Sequence, residues 1–287
     1  MKIKITSDST CDLTQELLER FEIDAIPLFV TLGDNTYLDG VDVKPNDIYE
    51  HFDKTGEVPK TGARSPEDFK EFFKKYTDQG YEVIHIGIGA DLSGCYGYAK
   101  IAVDEMTGVH LVDSRTLSTG TGLLLMYASE LAKSGKYTAE QIVKKVEERS
   151  YHNQSSFIIE KLKFLHKGGR CSMLSVLGAN LLRLKPSIQV VDGKNKVGKK
   201  YMGNIVNCVG KYVEDTLKEF NTPDHTRVMI TYSTATQEMI DTAKSVLEKY
   251  GKFKEILITQ AGSVINCHCG QNTLGVLYLN DGDEGHY

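Results

Sequence analysis

The sequence predicts an α/β fold in which an N-terminal parallel sheet, with helices on both faces, is followed by a second, mixed α/β domain. Strand-like and helix-like runs alternate through the first half, the pattern of a parallel sheet covered on both sides. Near Asn153 the texture changes to closely spaced strands and a hairpin. The length of 287 residues exceeds the prior of ~100–200 residues for one domain. Boundaries at 1–153 and 154–287 follow.

Each element has a local reason. Ile3 to Thr6 reads as a strand, and Asp12-Leu-Thr-Gln15 offers Asp12 as the cap of a helix running through Phe21. Ser65-Pro66-Glu67-Asp68 is a stronger start. Serine caps, proline takes the first helical position, and the acids meet the positive end of the dipole. Val83 to Ile88 and Val109 to Val112 are buried-strand runs, with helices expected from about Ser93 and Ser118. Thr138-Ala-Glu-Gln141 forms a capping box for another helix. Beyond Asn153, Ser156 to Leu162 reads as a strand and Ser172 to Leu184 as an apolar helix. Ser187 to Val191 turns at Asp192-Gly193 into Lys196 to Tyr201, a hairpin. A helix (Ile205 to Phe220), a strand, helix, strand unit (Arg227 to Thr259) and a last strand (Leu274 to Leu279) complete the chain.

Composition narrows function. With 34 Lys+Arg against 39 Asp+Glu, a net charge of −5, the chain lacks the basic balance of a dedicated nucleic-acid binder. At 40% hydrophobic and 25% charged residues, with 6 Pro, disordered and collagenous classes are excluded. The six cysteines are scattered, which argues against a secreted disulfide framework and for a reducing compartment. The first residues enter strand-like sequence with no apolar h-region. Apolar windows such as Ile26 to Leu32 fall far short of the ~18 residues of a membrane helix. A cytoplasmic location is expected.

Two segments place hydroxyls and backbone N–H groups in turns expected at helix N-termini: Thr61-Gly62-Ala-Arg-Ser65 and Ala90-Asp-Leu-Ser93-Gly94. Such turns bind anions or simply cap helices. Together, beyond the strand ends of an open α/β sheet, they suggest a carboxylate or phosphate in the crevice. No phosphate-binding glycine loop accompanies them. Lys167-Gly-Gly-Arg170 is a basic, glycine-rich turn in which Arg170 offers a planar fork to an anion. Cys267-His268-Cys269 invites a zinc reading. In an extended strand, however, 267 and 269 point away from 268, and no second cluster completes a site, so no metal is expected. His268 is then a satisfied histidine or a donor to an anionic headgroup. Ser93, His268 and Asp113 keep a hydrolase open as the alternative, although the nucleophile elbow is absent. Residues 161–200 hold ten Lys/Arg against one acid, Asp192. That stretch is a solvated face or a docking surface for an anionic partner.

Seven segments stand out in order along the chain: Ile5-Thr-Ser-Asp-Ser9, Thr61 to Pro66, Leu92-Ser-Gly94, Val112-Asp-Ser114, Lys167-Gly-Gly-Arg170, Leu184-Lys-Pro186 with Asp192-Gly193, and Gly262 to Gly270. Their order and rough spacing resemble the DegV family of bacterial fatty-acid-binding proteins across essentially the whole chain. The pattern departs from the family at Gly62 to Arg64, Cys95, Met202 and Gln271.

The resemblance implies a cytoplasmic, non-catalytic carrier that binds one long-chain fatty acid between two domains. Its carboxylate would be held by the hydroxyls matching Thr61 and Ser93, with His268 and Arg170 beside them and the turns at Gly62 and Gly94 as secondary contacts. It implies presentation of the bound acid to a separate fatty acid kinase and no cofactor. An anionic membrane surface is a further expected partner, nucleic acid is not, and a small-molecule enzyme using Ser93 and His268, an acyl hydrolase or a phosphotransferase, is the competing reading. Leu123 to Met126, and Met173-Leu174 with Val176-Leu177 and Leu181-Leu182, are candidate tunnel walls as well as candidate core.

Overall fold

The structure is a computed structural model that describes residues 2–169 and 184–282. The first half contains β1 (Lys2–Asp8), a 3-10 turn (Ser9–Cys11), α1 (Gln15–Phe21), β2 (Ile23–Ile26), β3 (Phe29–Leu32), β4 (Asn35–Leu38) and α2 (Pro45–Thr55). It continues with β5 (Lys60–Gly62), α3 (Pro66–Thr77), β6 (Tyr81–Gly87), α4 (Cys95–Asp104), β7 (Val109–Asp113), α5 (Thr119–Ser134) and α6 (Ala139–Ser150). Strands β2-β1-β6-β7 form a parallel sheet in that order. Phe69, Phe73 and Ala102 of α3 and α4 cover one face with Val83. Leu124, Tyr127, Ile142 and Val146 of α5 and α6 cover the other with Ile5, Ile84 and Ile86.

The second half contains β8 (Asn153–Ile158), α7 (Lys163–Lys167), β9 (Leu184–Val191), β10 (Lys194–Met202), α8 (Ile205–Glu219) and β11 (Arg227–Tyr232). α9 (Gln237–Tyr250), β12 (Glu255–Gln260), α10 (Ser263–Cys269) and β13 (Leu274–Leu279) follow. Its six-stranded sheet runs β10-β9-β8-β13-β11-β12, with β11 and β12 parallel and the remaining pairs antiparallel. The mixed second sheet and the parallel first sheet are those expected from the sequence.

α5 joins the two. Every residue from Thr119 to Ser129 is buried, the condition of a helix enclosed on all sides. Leu123, Leu125 and Leu131 share one core with Met229, Leu277 and Leu279 of the second sheet. Two glycines set the closeness of approach: a Cβ on Gly120 would collide with Ser155 Oγ, and one on Gly122 would stand 2.7 Å from Leu13 Cδ2.

Three expectations are corrected and a fourth falls largely outside the described residues. Asp12 does not cap α1: Thr14 does, accepting from Leu17 N–H at 3.2 Å, while Asp12 sits in a left-handed turn. The Asp12 carboxylate is drawn away by two distant donors, the Ser118 hydroxyl and the Gly262 N–H, the latter at 2.8 Å. Thr61 and Gly62 are not in a helix-capping turn but in β5, where Thr61 pairs with Val30 in a small antiparallel sheet, β4-β3-β5. Ser65 is the cap, in a reciprocal box with Asp68. Cys267, His268 and Cys269 lie on α10, not on a strand, so successive residues turn by about 100° around a helix. The expected helix from Ser172 lies outside the described residues, except Leu184, which opens β9.

Candidate functional site

A cavity of about 290 Å³ opens where the three sheets meet. Thr10 and Ile88, just past the ends of β1 and β6, form part of its wall. β1 is flanked by β2 on one side and β6 on the other, so this is the carboxyl-end crevice at a switch in strand order where open α/β sheets take ligands. Leu28, Leu92, Phe157, Leu165, Val264 and Leu277 supply apolar wall from both halves of the chain.

Thr61, Gly62, Ser93, Gly94 and His268 all line this cavity. Thr61 arrives on β5, Ser93 and Gly94 on the loop before α4, and His268 on the last turn of α10. Thr61 Oγ1 and His268 Nε2 lie 3.0 Å apart. The Ser93 hydroxyl contacts Cys95 Sγ at 3.2 Å and accepts from the Cys95 N–H at 3.3 Å. Leu92, Ser93, Gly94 and Asn195 also border a hollow of about 510 Å³ beside Asp91 and Lys194, so the Ser93 end of the cavity adjoins a polar surface. Arg170 lies outside the described residues, as do Met173 to Leu182. Leu123 to Met126 take no part in the wall; they are fully enclosed in the core around α5.

Four other hydroxyls of the cavity wall are engaged elsewhere. Thr10 donates to Asp8 at 2.5 Å, Ser118 to Asp12, and Ser156 meets the Tyr212 hydroxyl at 2.8 Å. Thr231 Oγ1 lies 2.5 Å from Thr119 Oγ1. A buried hydroxyl satisfied by a protein partner adds little polarity to a wall.

Behind the cavity stand three buried carboxylates, Asp8, Asp12 and Asp39. Asp39 accepts from the Ser9 hydroxyl at 2.7 Å and from the Ser263 N–H at 2.7 Å, and so ties the start of α10 to the N-terminal half. Burial raises all three, Asp12 to about 8, with hydrogen bonds from Ser118 and Gly262 opposing. Sequence reasoning did not find Asp39, whose partners Ser9 and Ser263 are remote in sequence, or the cavity-facing Thr10. Burial lifts the Cys269 thiol to about 12, which leaves it protonated and unreactive at neutral pH.

The hydrolase arrangement is not assembled among the described residues. Ser93 contacts Cys95, His268 pairs with Thr61, and Asp113 accepts from the N–H groups of Ala90 at 3.0 Å and Arg115 at 2.9 Å. A triad requires its base within hydrogen-bond reach of the nucleophile. Among the described residues, the one group of His, Cys, Asp or Glu spaced for a metal is Glu82, His110 and Glu140, whose donor atoms lie within 4.8 Å. None of the three lines the cavity. The basic stretch is partly compensated: Lys185, Lys194, Lys196 and Lys199 each have an acid within 4.0 Å.

A model of the DegV family, a family of uncharacterised proteins, matches residues 2–281. The chain belongs to the DegV family. A DegV domain-containing protein of Clostridium acetobutylicum is 30% identical over 280 residues, 97% of this chain and 98% of that protein. A fatty acid-binding protein of Thermotoga maritima is 30% identical over 287 residues, 96% of each chain. A fatty-acid-binding DegV family protein of Thermus thermophilus superposes with a TM-score of 0.89 at 28% identity, covering 98% of this chain and 100% of that one. A fatty acid (stearic acid)-binding protein from Eubacterium ventriosum gives a TM-score of 0.84 at 26% identity, with 98% of each chain covered.

Proposed function

We propose that this DegV protein binds a long-chain fatty acid, its tail in the cavity and its carboxylate at Thr61, Ser93 and His268. The observation that carries the reading is the Thr61–His268 pair, 3.0 Å apart, on the wall of an otherwise largely apolar cavity. The fatty-acid-binding relatives support it. Burying an alkyl chain gains about 0.8 kcal/mol per CH₂, so ~15 methylenes offer on the order of 12 kcal/mol before ordering costs are subtracted. The tail supplies affinity. A desolvated carboxylate costs several kcal/mol unless donors meet it, and the hydroxyls and imidazole on the cavity wall are such donors. The head fixes orientation.

On this reading the protein is a non-catalytic, cytoplasmic carrier of two domains, 1–153 and 154–287, with the ligand between them. Arg170 is a further partner of the headgroup, with Gly62 and Gly94 secondary. The carrier presents its carboxylate to a fatty acid kinase and exchanges ligand at anionic membrane. Among the described residues no helix is long and apolar enough to cross a membrane. Native mass spectrometry of the purified protein after mild organic extraction tests the central claim. Stoichiometric fatty acid is the expected result; protein that stays empty with added palmitate overturns it.

A further inference from the structure

α7 and α10 lock together through a pair of glycines, one from each. Gly270 closes α10 with φ +75°, and a Cβ there would stand 3.0 Å from the ring of Phe164 on α7. Gly168 closes α7, and a Cβ there would stand 2.5 Å from His268 Nδ1 on α10. The backbone of Gly168, φ −71° and ψ −12°, is ordinary right-handed helix, open to any residue. Its conformation does not call for glycine; the space beside the imidazole does, tighter than the 3.0 Å a Cβ would leave to the Phe164 carbonyl.

α7 has little freedom to give way. The Phe164 ring packs on Tyr49 at 5.7 Å and on Phe52 at 4.9 Å. The Tyr49 hydroxyl donates to Asn266 Oδ1 at 2.5 Å, so the same cluster grips α10 just before His268. The Gly168 N–H also donates to Phe164 O at 2.8 Å, which fixes the turn. The imidazole is thus bounded on two sides, by Thr61 at Nε2 and by the Gly168 turn at Nδ1.

We propose that Gly168 is the positioning residue for His268: its missing side chain lets the end of α7 seat against the imidazole and keep Nε2 on Thr61. Gly168 touches no ligand in this role and acts through the histidine alone. The role in ligand affinity rests on the fatty-acid reading above; the control of ring orientation does not.

The test combines imidazole NMR with a double-mutant cycle on the full chain. In the unmodified protein, a cross-relaxation peak between Gly168 Hα and His268 Hε1 and a single tautomer are expected. Gly168→Ala is expected to shift the His268 ring nitrogens and to lower oleate affinity fivefold or more, with oleyl alcohol affected less than twofold. His268→Ala is expected to cost as much, and Gly168→Ala to add nothing in that background, since residues acting as a unit are non-additive. Unchanged ring signals in Gly168→Ala overturn the proposal, as does a full additional loss in the double variant. Shifted ring signals with undiminished oleate affinity uphold the positioning and overturn the carboxylate reading. Should Gly168→Ala fail to fold, recovery in the His268→Ala background upholds the proposal and continued failure there overturns it.

Discussion

Thr61 and His268, 207 positions apart in sequence, meet side chain to side chain with Oγ1 and Nε2 3.0 Å apart. The contact exists because β5 hangs on the small sheet and α10 is pinned at its start by Asp12 and Asp39. Both ends of the pair are therefore set by structure from the opposite half of the chain or from a separate sheet.

Replacing Thr61 and Ser93 together by alanine is expected to weaken fatty-acid binding by about 1–3 kcal/mol, the cost of a buried acceptor left short of donors. Calorimetry with palmitate and with the matching alcohol separates the causes. Equal losses for both ligands would show that the hydroxyls only shape the wall.

Stability is expected to fall as pH rises from 6.5 to 8. Folded Asp12 holds its proton up to about pH 8, while the unfolded chain releases it near pH 4. The unfolded state therefore binds fewer protons in that window, and each pH unit costs at most about 1.4 kcal/mol for this group. Asp12→Asn keeps an acceptor for Gly262 and should flatten the slope of urea midpoints against pH; an unaltered slope would assign the effect to other groups.

On the acid side the sign reverses. His85 is buried between Phe69 and Phe73, with Nδ1 3.1 Å from the Thr6 hydroxyl, and burial lowers it to about 3. The unfolded state takes up the proton first, so this contribution to stability is present above about pH 6.5 and is lost as pH falls toward 3. His85→Phe should give a shallower acid limb in the same titration, at a loss near neutral pH of about 1 kcal/mol for the Thr6 bond.

Gly120→Ala should destabilise the protein although alanine is the better helix former by about 1 kcal/mol. The added methyl meets Ser155 Oγ and Thr116 Oγ1, the latter at 2.7 Å. Overpacking of this kind costs about 1–3 kcal/mol. A midpoint equal to or above that of the unmodified protein would mean that β8 withdraws freely.

Reversing Lys199 and Lys200 to glutamate is expected to slow association with anionic vesicles at low salt and to leave fatty-acid affinity within about twofold, because exposed charges act weakly at a distance. Lys199 already faces Asp215 at 3.3 Å, so Lys200 alone should carry the larger share. Rates indifferent to both changes would mark the stretch as a solvated face.

What could be read from the sequence was local. Ser65 caps α3 as its sequence suggests and adds a reciprocal bond with Asp68, three residues on, and the box of Thr138 with Gln141 forms as expected. Asp12 carried the same kind of signal and took another role, because its partners Ser118 and Gly262 stand 106 and 250 residues away. The β4-β3-β5 sheet passed unnoticed since its strands have three or four residues and no alternation to detect. Cys267-His268-Cys269 gives no period at all over three residues, so α10 was mistaken for a strand. Thr61, Ser93 and His268 were each singled out, yet only the fold reveals that the Thr61 hydroxyl lies 3.0 Å from the histidine while Ser93 contacts Cys95.

The placement of α5 bears on where this polypeptide can be divided. A break in the link between α6 and β8 leaves the first fragment holding Leu123, Leu125 and Leu131 without Met229, Leu277 and Leu279, and the second fragment with the matching gap. Each piece alone would be a sticky half-core. Produced together, they would be natural complements, a split pair whose reassembly is driven by α5 and by the grip of Asp12 and Asp39 on α10.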